Sequence, residues 1–359
     1  MNIMLVMPVW GDDYIDLLET IALPSQLGGA NLRQIGRCDS ASCLFLTRAA
    51  DRQRISDIAD AHNMSDHMSV EVRVVENLGD DVSQDGLPYN WLRVCQNMAL
   101  TAAREKDAAL VFLTADALVT QGSIAWAIRQ WRDGARAVLV PSLQVERPAY
   151  RASIESWLLD QDIALAAMDT ANAVRLALPC LHAHFRATRI DARPFLNSWP
   201  SALWWPVEEE GLVMRAFHMH PLLIEPVDRD REIETSFDDG FVDKACPDPE
   251  TIRIVSDSNE ALLISLEDPD YYNDALARED EAINMQKLVS WAISRFDNTA
   301  MRCFVDHPVT IHTGGIHGQL WQDRLTGSRN FVGHFMDAIS EYSRSGQLRF
   351  NESSLPTED

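Results

Sequence analysis

Lysine is nearly missing from this chain: Lys106, Lys244 and Lys287 are the whole supply, and with arginine included 31 basic side chains face 54 acidic ones. The formal charge of −23 repels a phosphate backbone and excludes a general nucleic-acid binder, while a local basic pocket stays open to a nucleotide. Cysteine is sparse and unpatterned. Cys38, Cys43, Cys95, Cys180, Cys246 and Cys303 form no C-x-x-C pair, which favours reduced thiols in a cytoplasmic setting over a disulfide scaffold. No stretch approaches the ~20 apolar residues of a spanning helix, so no integral membrane segment is expected. The amino-terminal apolar run is short, has no basic region before it and exits through Pro8-Val9-Trp10-Gly11 into acids, which fits neither signal peptide nor anchor. Also missing are G-x-G-x-x-G after that run, G-x-x-x-x-G-K-[ST], G-x-S-x-G and H-E-x-x-H, which removes the dehydrogenase, P-loop, α/β-hydrolase and zincin readings.

What is present is the composition of a globular protein, 46% hydrophobic and 24% charged, in a chain of 359 residues, long enough for a large α/β domain with an extension or for two modest domains. Apolar runs at 3–9, 43–47, 70–75, 108–113 and 137–143 predict strands. The segments 12–27, 48–63, 89–106, 123–133 and 155–176 have helical spacing. Such alternation predicts a three-layer α/β sandwich with a mostly parallel, mixed central sheet over residues 1–267, and a mainly helical carboxyl-terminal extension over 268–359. Residues 252–255 and 262–266, flanking Ser256-Asp257-Ser258-Asn259, read as a hairpin. The run 108–113 stops at Thr114-Ala115-Asp116, placing a carboxylate just past the end of a central strand. Open α/β sheets bind ligands there, and Asp116 is the first candidate site residue, with a turn or helix cap as its plain alternative.

A first strand leaving through Pro8-Val9-Trp10-Gly11, a fourth ending in Thr114-Ala115-Asp116 and a second half carrying histidines and carboxylates together resemble the nucleotide-sugar-dependent glycosyltransferases of the A-type fold. The resemblance covers roughly the first 245 residues. It implies that Pro8, Val9, Trp10 and Gly11 cup the nucleotide base. Thr114-Ala115-Asp116 looks like the family's D-x-D motif with its first aspartate replaced, so that Asp116 takes the metal-binding position and Thr114 offers a hydroxyl to the ribose. The stretch 211–221 with Ser236-Phe237-Asp238-Asp239 also looks like bacterial proteins related to these enzymes. The implied partners are a nucleotide-sugar donor and a saccharide or other hydroxyl acceptor.

The chemistry of such a transfer places negative charge on a leaving diphosphate, which a cation or an arginine must meet. Asp116 with His218 or His220 forms a candidate site for Mn²⁺ or Mg²⁺, since alternate residues of a strand share a face. Asp238 or Asp239 is the candidate general base for the acceptor, and Arg93 a candidate phosphate contact. Each has a plain reading: an ordinary strand histidine, a loop acid, a solvated helix arginine. The tryptophans around 199–205 either stack on a sugar or anchor a loop, and His312-Thr313-Gly314-Gly315 is a candidate phosphate wrap. Two other functions stay open. One is a metal-dependent hydrolase using His182, His184, His218, His220 and an aspartate; the other is a non-catalytic sugar- or partner-binding protein on the same fold.

Overall fold

Five consecutive buried side chains run along β1 (Asn2–Pro8) because successive residues enter different cores. Met4 and Val6 face one, and Ile3, Leu5 and Met7 the other. That is why the strand reads as a continuous apolar run rather than an alternating one. The computed structural model describes residues 1–76, 87–198, 200–234, 237, 240–271, 276, 282–295 and 304–345.

From β1 the chain enters α1 (Asp12–Leu17), which passes through a π-turn into α2 (Leu23–Gln26), then α3 (Gly29–Ile35), β2 (Ser40–Thr47), α4 (Arg52–Ala61), β3 (Ser69–Val74), α5 (Leu87–Glu105) and β4 (Ala108–Phe112). It continues through β5 (Ala117–Val119), α6 (Ser123–Arg132), β6 (Ala137–Val140), β7 (Ser142–Glu146), α7 (Arg147–Gln161), α8 (Thr170–Ala177) and α9 (Ala183–Arg186). The remainder holds β8 (Ala202–Val207), β9 (Gly211–Ala216), β10 (His220–Ile224), α10 (Phe241–Ala245), β11 (Ile252–Ile254), β12 (Leu263–Glu267), α11 (Met285–Arg295), β13 (Pro308–His312) and α12 (Gln319–Ser345).

The central sheet has seven strands in the order β11-β6-β10-β4-β1-β2-β3, parallel throughout except for β10. On one face lie Ile15 of α1, Ile35 of α3, Ile55 and Ile58 of α4, and Ile124 and Ile128 of α6. Cys95, Ala99 and Ala102 of α5 cover the other. The molecule is thus the expected three-layer α/β fold with a mixed, largely parallel sheet and a carboxyl-terminal helix.

Three local expectations are corrected. The run 137–143 is not one strand: Pro141, which has no N–H for a ladder, separates β6 in the central sheet from β7 in a small sheet ordered β5-β12-β7. Residues 252–255 and 262–266 are not a hairpin, because β11 pairs in parallel with β6 while β12 lies between β5 and β7. The helix expected over 155–176 is two. Asp162 ends α7 in the left-handed region at φ 52°, and the Asp169 carboxylate caps α8 by accepting from the Asn172 N–H at 2.7 Å. A third sheet, β13-β9-β8, brings a strand of the carboxyl-terminal segment against residues 202–216, and Trp321, Phe331 and Phe335 of α12 join the core there.

Candidate functional site

The chain leaves β1 toward β2 on one side and returns to β4 on the other, so strand order reverses between β1 and β4. A crevice outside the carboxyl ends of the strands at such a reversal is where open α/β sheets take ligands. Because β1 and β4 are parallel, with Val6 beside Phe112, Trp10-Gly11 and Thr114-Asp116 emerge at the same end. Gly11 has φ 85°, where a side chain would be strained. Its N–H donates to Asp51 Oδ2 at 2.9 Å, and that carboxylate also receives Arg48 Nε at 2.5 Å, so the exits of β1 and β2 are tied together.

The register of the small sheet builds the rest. Leu266 N–H donates to the Asp116 carbonyl at 2.8 Å, which sets the end of β12 beside Asp116, and Glu267 is paired in turn with Glu146 at the end of β7. Asp116, Glu267 and the start of α7 with Arg147 therefore form a row at this end of the sheet, where such a crevice would lie. Burial raises the Asp116 pKa, and a hydrogen bond with the Thr114 hydroxyl, then one with its own backbone N–H, then Arg147 and His220, pull it back. Glu267 is pushed up to about 7, first by burial and then by the Asp116 charge, with Arg147 opposing. Tyr14 of α1 completes the rim. Its hydroxyl is pushed up to about 12 by burial and by Asp116.

His220 opens β10, the antiparallel strand, so it lies at the same end as Asp116; its Nε2 donates to the Phe112 carbonyl at 2.9 Å. His218 is partly buried and its backbone N–H donates to the Ser201 carbonyl at 3.3 Å. Among the described residues, no group of three or more His, Cys, Asp or Glu side chains is arranged to hold a metal ion. Pro8 closes β1 and Val9 follows it, with Val9 N–H on the Leu46 carbonyl at 2.9 Å, while Thr114 turns its hydroxyl to Asp116 and its carbonyl to Gln26 Nε2 at 3.2 Å. Arg93 is not brought to Asp116: with Arg73 it lines a cavity of about 350 Å³ between α5 and β3, three strands from β4. Asp238, Asp239 and Trp199 lie outside the described residues.

His182 and His184 belong to a helix start rather than a strand. His182 Nδ1 accepts the His184 N–H at 3.2 Å and caps α9, and its Nε2 donates to the Asp268 carbonyl at 3.0 Å. Trp204 and Trp205 are buried anchors, the first stacked on Phe185 at 5.5 Å and the second edge-on to Phe331 at 5.9 Å. The Thr313 N–H is taken by the Glu210 carbonyl at 2.8 Å. Glu267, Arg147 and Tyr14 carry no motif in sequence. The signals available were the acids of Glu267-Asp268-Pro269-Asp270 directly after an apolar run, and an Arg-Pro pair opening a helix.

No family model matches the chain, and no curated protein matches it by sequence. Among solved structures it is similar to mouse xyloside xylosyltransferase 1 in its apo form, at 13% identity and a TM-score of 0.26, over 45% of this chain and 59% of that one. It is also similar to a mannosyltransferase from Pyrobaculum calidifontis in complex with GDP-Man and Mn²⁺, at 11% identity and a TM-score of 0.32, over 96% of this chain and 76% of that one. Both neighbours are glycosyltransferases, and neither likeness identifies a donor or an acceptor for this chain. No described helix is long and apolar enough to cross a membrane.

Proposed function

We propose that the chain is a glycosyltransferase that moves a sugar from a nucleoside-diphosphate donor to a hydroxyl acceptor with the help of a divalent cation. The observation that carries this reading is the convergence of Asp116, Glu267 and Arg147 at the reversal of strand order. Two carboxylates completed by water and phosphate oxygens make a hard-oxygen donor set suited to Mg²⁺ or Mn²⁺, and a cation beside them would offset the burial, and then the Asp116 charge, that raise Glu267. Asp116 and Glu267 would hold the ion, with His220 at their side; bound there, it would neutralise charge on the donor diphosphate. The chain's own residues orient the donor. The Gly11 turn, tied to Asp51, shapes the base end, Thr114 fixes the Asp116 carboxylate, and Tyr14, 46% exposed, stands at the rim. Asp238 or Asp239 remains the proposed base for the acceptor hydroxyl, and five described cysteines that are free fit a cytoplasmic location.

A hydrolase built on four histidines is less well supported, because both ring nitrogens of His182 serve the α9 cap and the Asp268 carbonyl. The test is thermal shift with nucleoside diphosphates and nucleotide-sugars, with and without Mn²⁺, since a ligand of the folded state raises Tm by mass action. We expect Mn²⁺-dependent stabilisation that Asp116→Ala abolishes while the unliganded Tm changes little. Stabilisation without turnover against any hydroxyl acceptor leaves a binding protein, and no stabilisation by any nucleotide ends the glycosyltransferase reading.

A further inference from the structure

We propose that Arg147 and Arg151 form the anion subsite of this crevice, that its occupant is the diphosphate of the donor, and that the phosphates displace Asp13 and Asp16 from the two guanidinia. The inference rests on the reading above for the identity of the occupant, though not for the existence of the subsite.

Arg147 and Arg151 are one turn apart on α7 and share a helix face. Across the mouth of the crevice, Asp13 and Asp16 share a face of α1 in the same way. The pairs meet as rungs. Arg147 Nη1 lies 3.8 Å from Asp13 and its Nη2 3.3 Å from Asp268, while Arg151 binds Asp16 and, at 3.1 Å, Glu155 of its own helix. Neither contact of Arg147 has the short two-point geometry that a guanidinium fork makes with a carboxylate or a phosphate. Its side chain is 18% exposed and set into the wall, whereas that of Asp13 is 84% exposed. An ion pair with so exposed a partner contributes little, so exchanging Asp13 for a multiply charged phosphate costs little and gains charge.

The placement is as telling as the pairing. Arg147 acts electrostatically on both Asp116 and Glu267, so an anion on its guanidinium lies next to the two carboxylates proposed to hold a cation. The remaining charged groups of the row, Glu146, Glu267 and Asp268, are acids, and Arg186 is engaged with Glu146 at 3.1 Å. In a chain of formal charge −23, a phosphate entering this crevice therefore meets Arg147 and Arg151 as its cationic contacts.

Inorganic pyrophosphate, titrated with Mg²⁺ into the full chain by calorimetry, tests the subsite without a nucleotide. We expect binding to the wild type, at least a ~10-fold loss of affinity in Arg147→Gln and in Arg151→Gln, and a several-fold gain in Asp13→Asn/Asp16→Asn, which removes the competing carboxylates. The gain keeps the test sound if an arginine variant fails to fold, because a damaged fold does not bind more tightly. No binding to the wild type, equal affinity in the arginine variants, or no gain in the aspartate variant overturns the proposal. Arginine-dependent pyrophosphate binding with no response to any nucleotide-sugar leaves the subsite standing and removes the glycosyltransferase reading. Nucleotide-sugar binding indifferent to both arginines does the reverse.

Discussion

His184 shows how one side chain couples this fold to pH. Its Nδ1 donates to Gln144 Oε1 at 3.0 Å, and burial, then His182, lower its pKa to about 4 from the ordinary 6.5. The folded molecule thus takes up the proton less readily than the unfolded chain. Stability held by the neutral ring is full above about pH 6.5 and is lost as pH falls toward 4, on the order of 3 kcal/mol in all. His307, also lowered by burial, pulls the same way, so the difference between wild type and His184→Gln isolates the effect. We expect the variant's Tm to fall less steeply between pH 6.5 and 4.5, and parallel slopes would remove His184 from the account. Arg215 gives a second prediction. It is 2% exposed, and its guanidinium donates to Ser328 Oγ at 3.2 Å and to the carbonyls of Val305, at 3.3 Å, and Asp306. Burial lowers it to about 10, yet it ties β9 to α12. Arg215→Ala should cost about 2–4 kcal/mol in urea unfolding by leaving those carbonyls unpaired; a midpoint like that of the wild type would mean packing alone seats α12.

Among the elements, β9 and β13 approach most demandingly at Gly211, where a Cβ would overlap the Ile311 carbonyl and φ is 148°. Both backbones would have to shift, so Gly211→Ala should lower Tm by several degrees, more than the same change at Gly314, which has open space around it. Equal effects would show that the third sheet yields easily. Elements built from their own periodicity, such as β1, β4, α5 and α6, could be read from sequence because burial on both faces or one stripe leaves a local pattern. Asp116 was legible for the same reason, a carboxylate abruptly ending an apolar run. The Pro141 break, the parting of β11 from β12 and the whole Asp116-Glu267-Arg147 row were not. They depend on pairings between strands far apart in sequence, and Glu267 and Arg147 look like ordinary charges at element ends until that register brings them together.

Taken as a whole, the molecule carries strong self-repulsion at −23, while many of its described ion pairs are exposed and individually weak. Raising NaCl from about 10 to 200 mM should therefore raise Tm as the Debye length shortens from about 30 to below 10 Å. A fall would mean that the ion pairs outweigh the net charge. The sheet order also carries a history. β10 is slotted between β4 and β6, and β12 between β5 and β7, each entering a gap bordered by strands made earlier in the chain. On the ribosome, a nascent chain that has delivered β4 and β6 holds two unpaired apolar edges until residues 220–224 emerge, and the crevice wall waits for residues 263–267. Asp116 is thus synthesised long before its neighbour Glu267, so a chain halted between them lacks a finished crevice, and even after β12 arrives the edge of β9 stays open until residues 308–312 supply β13.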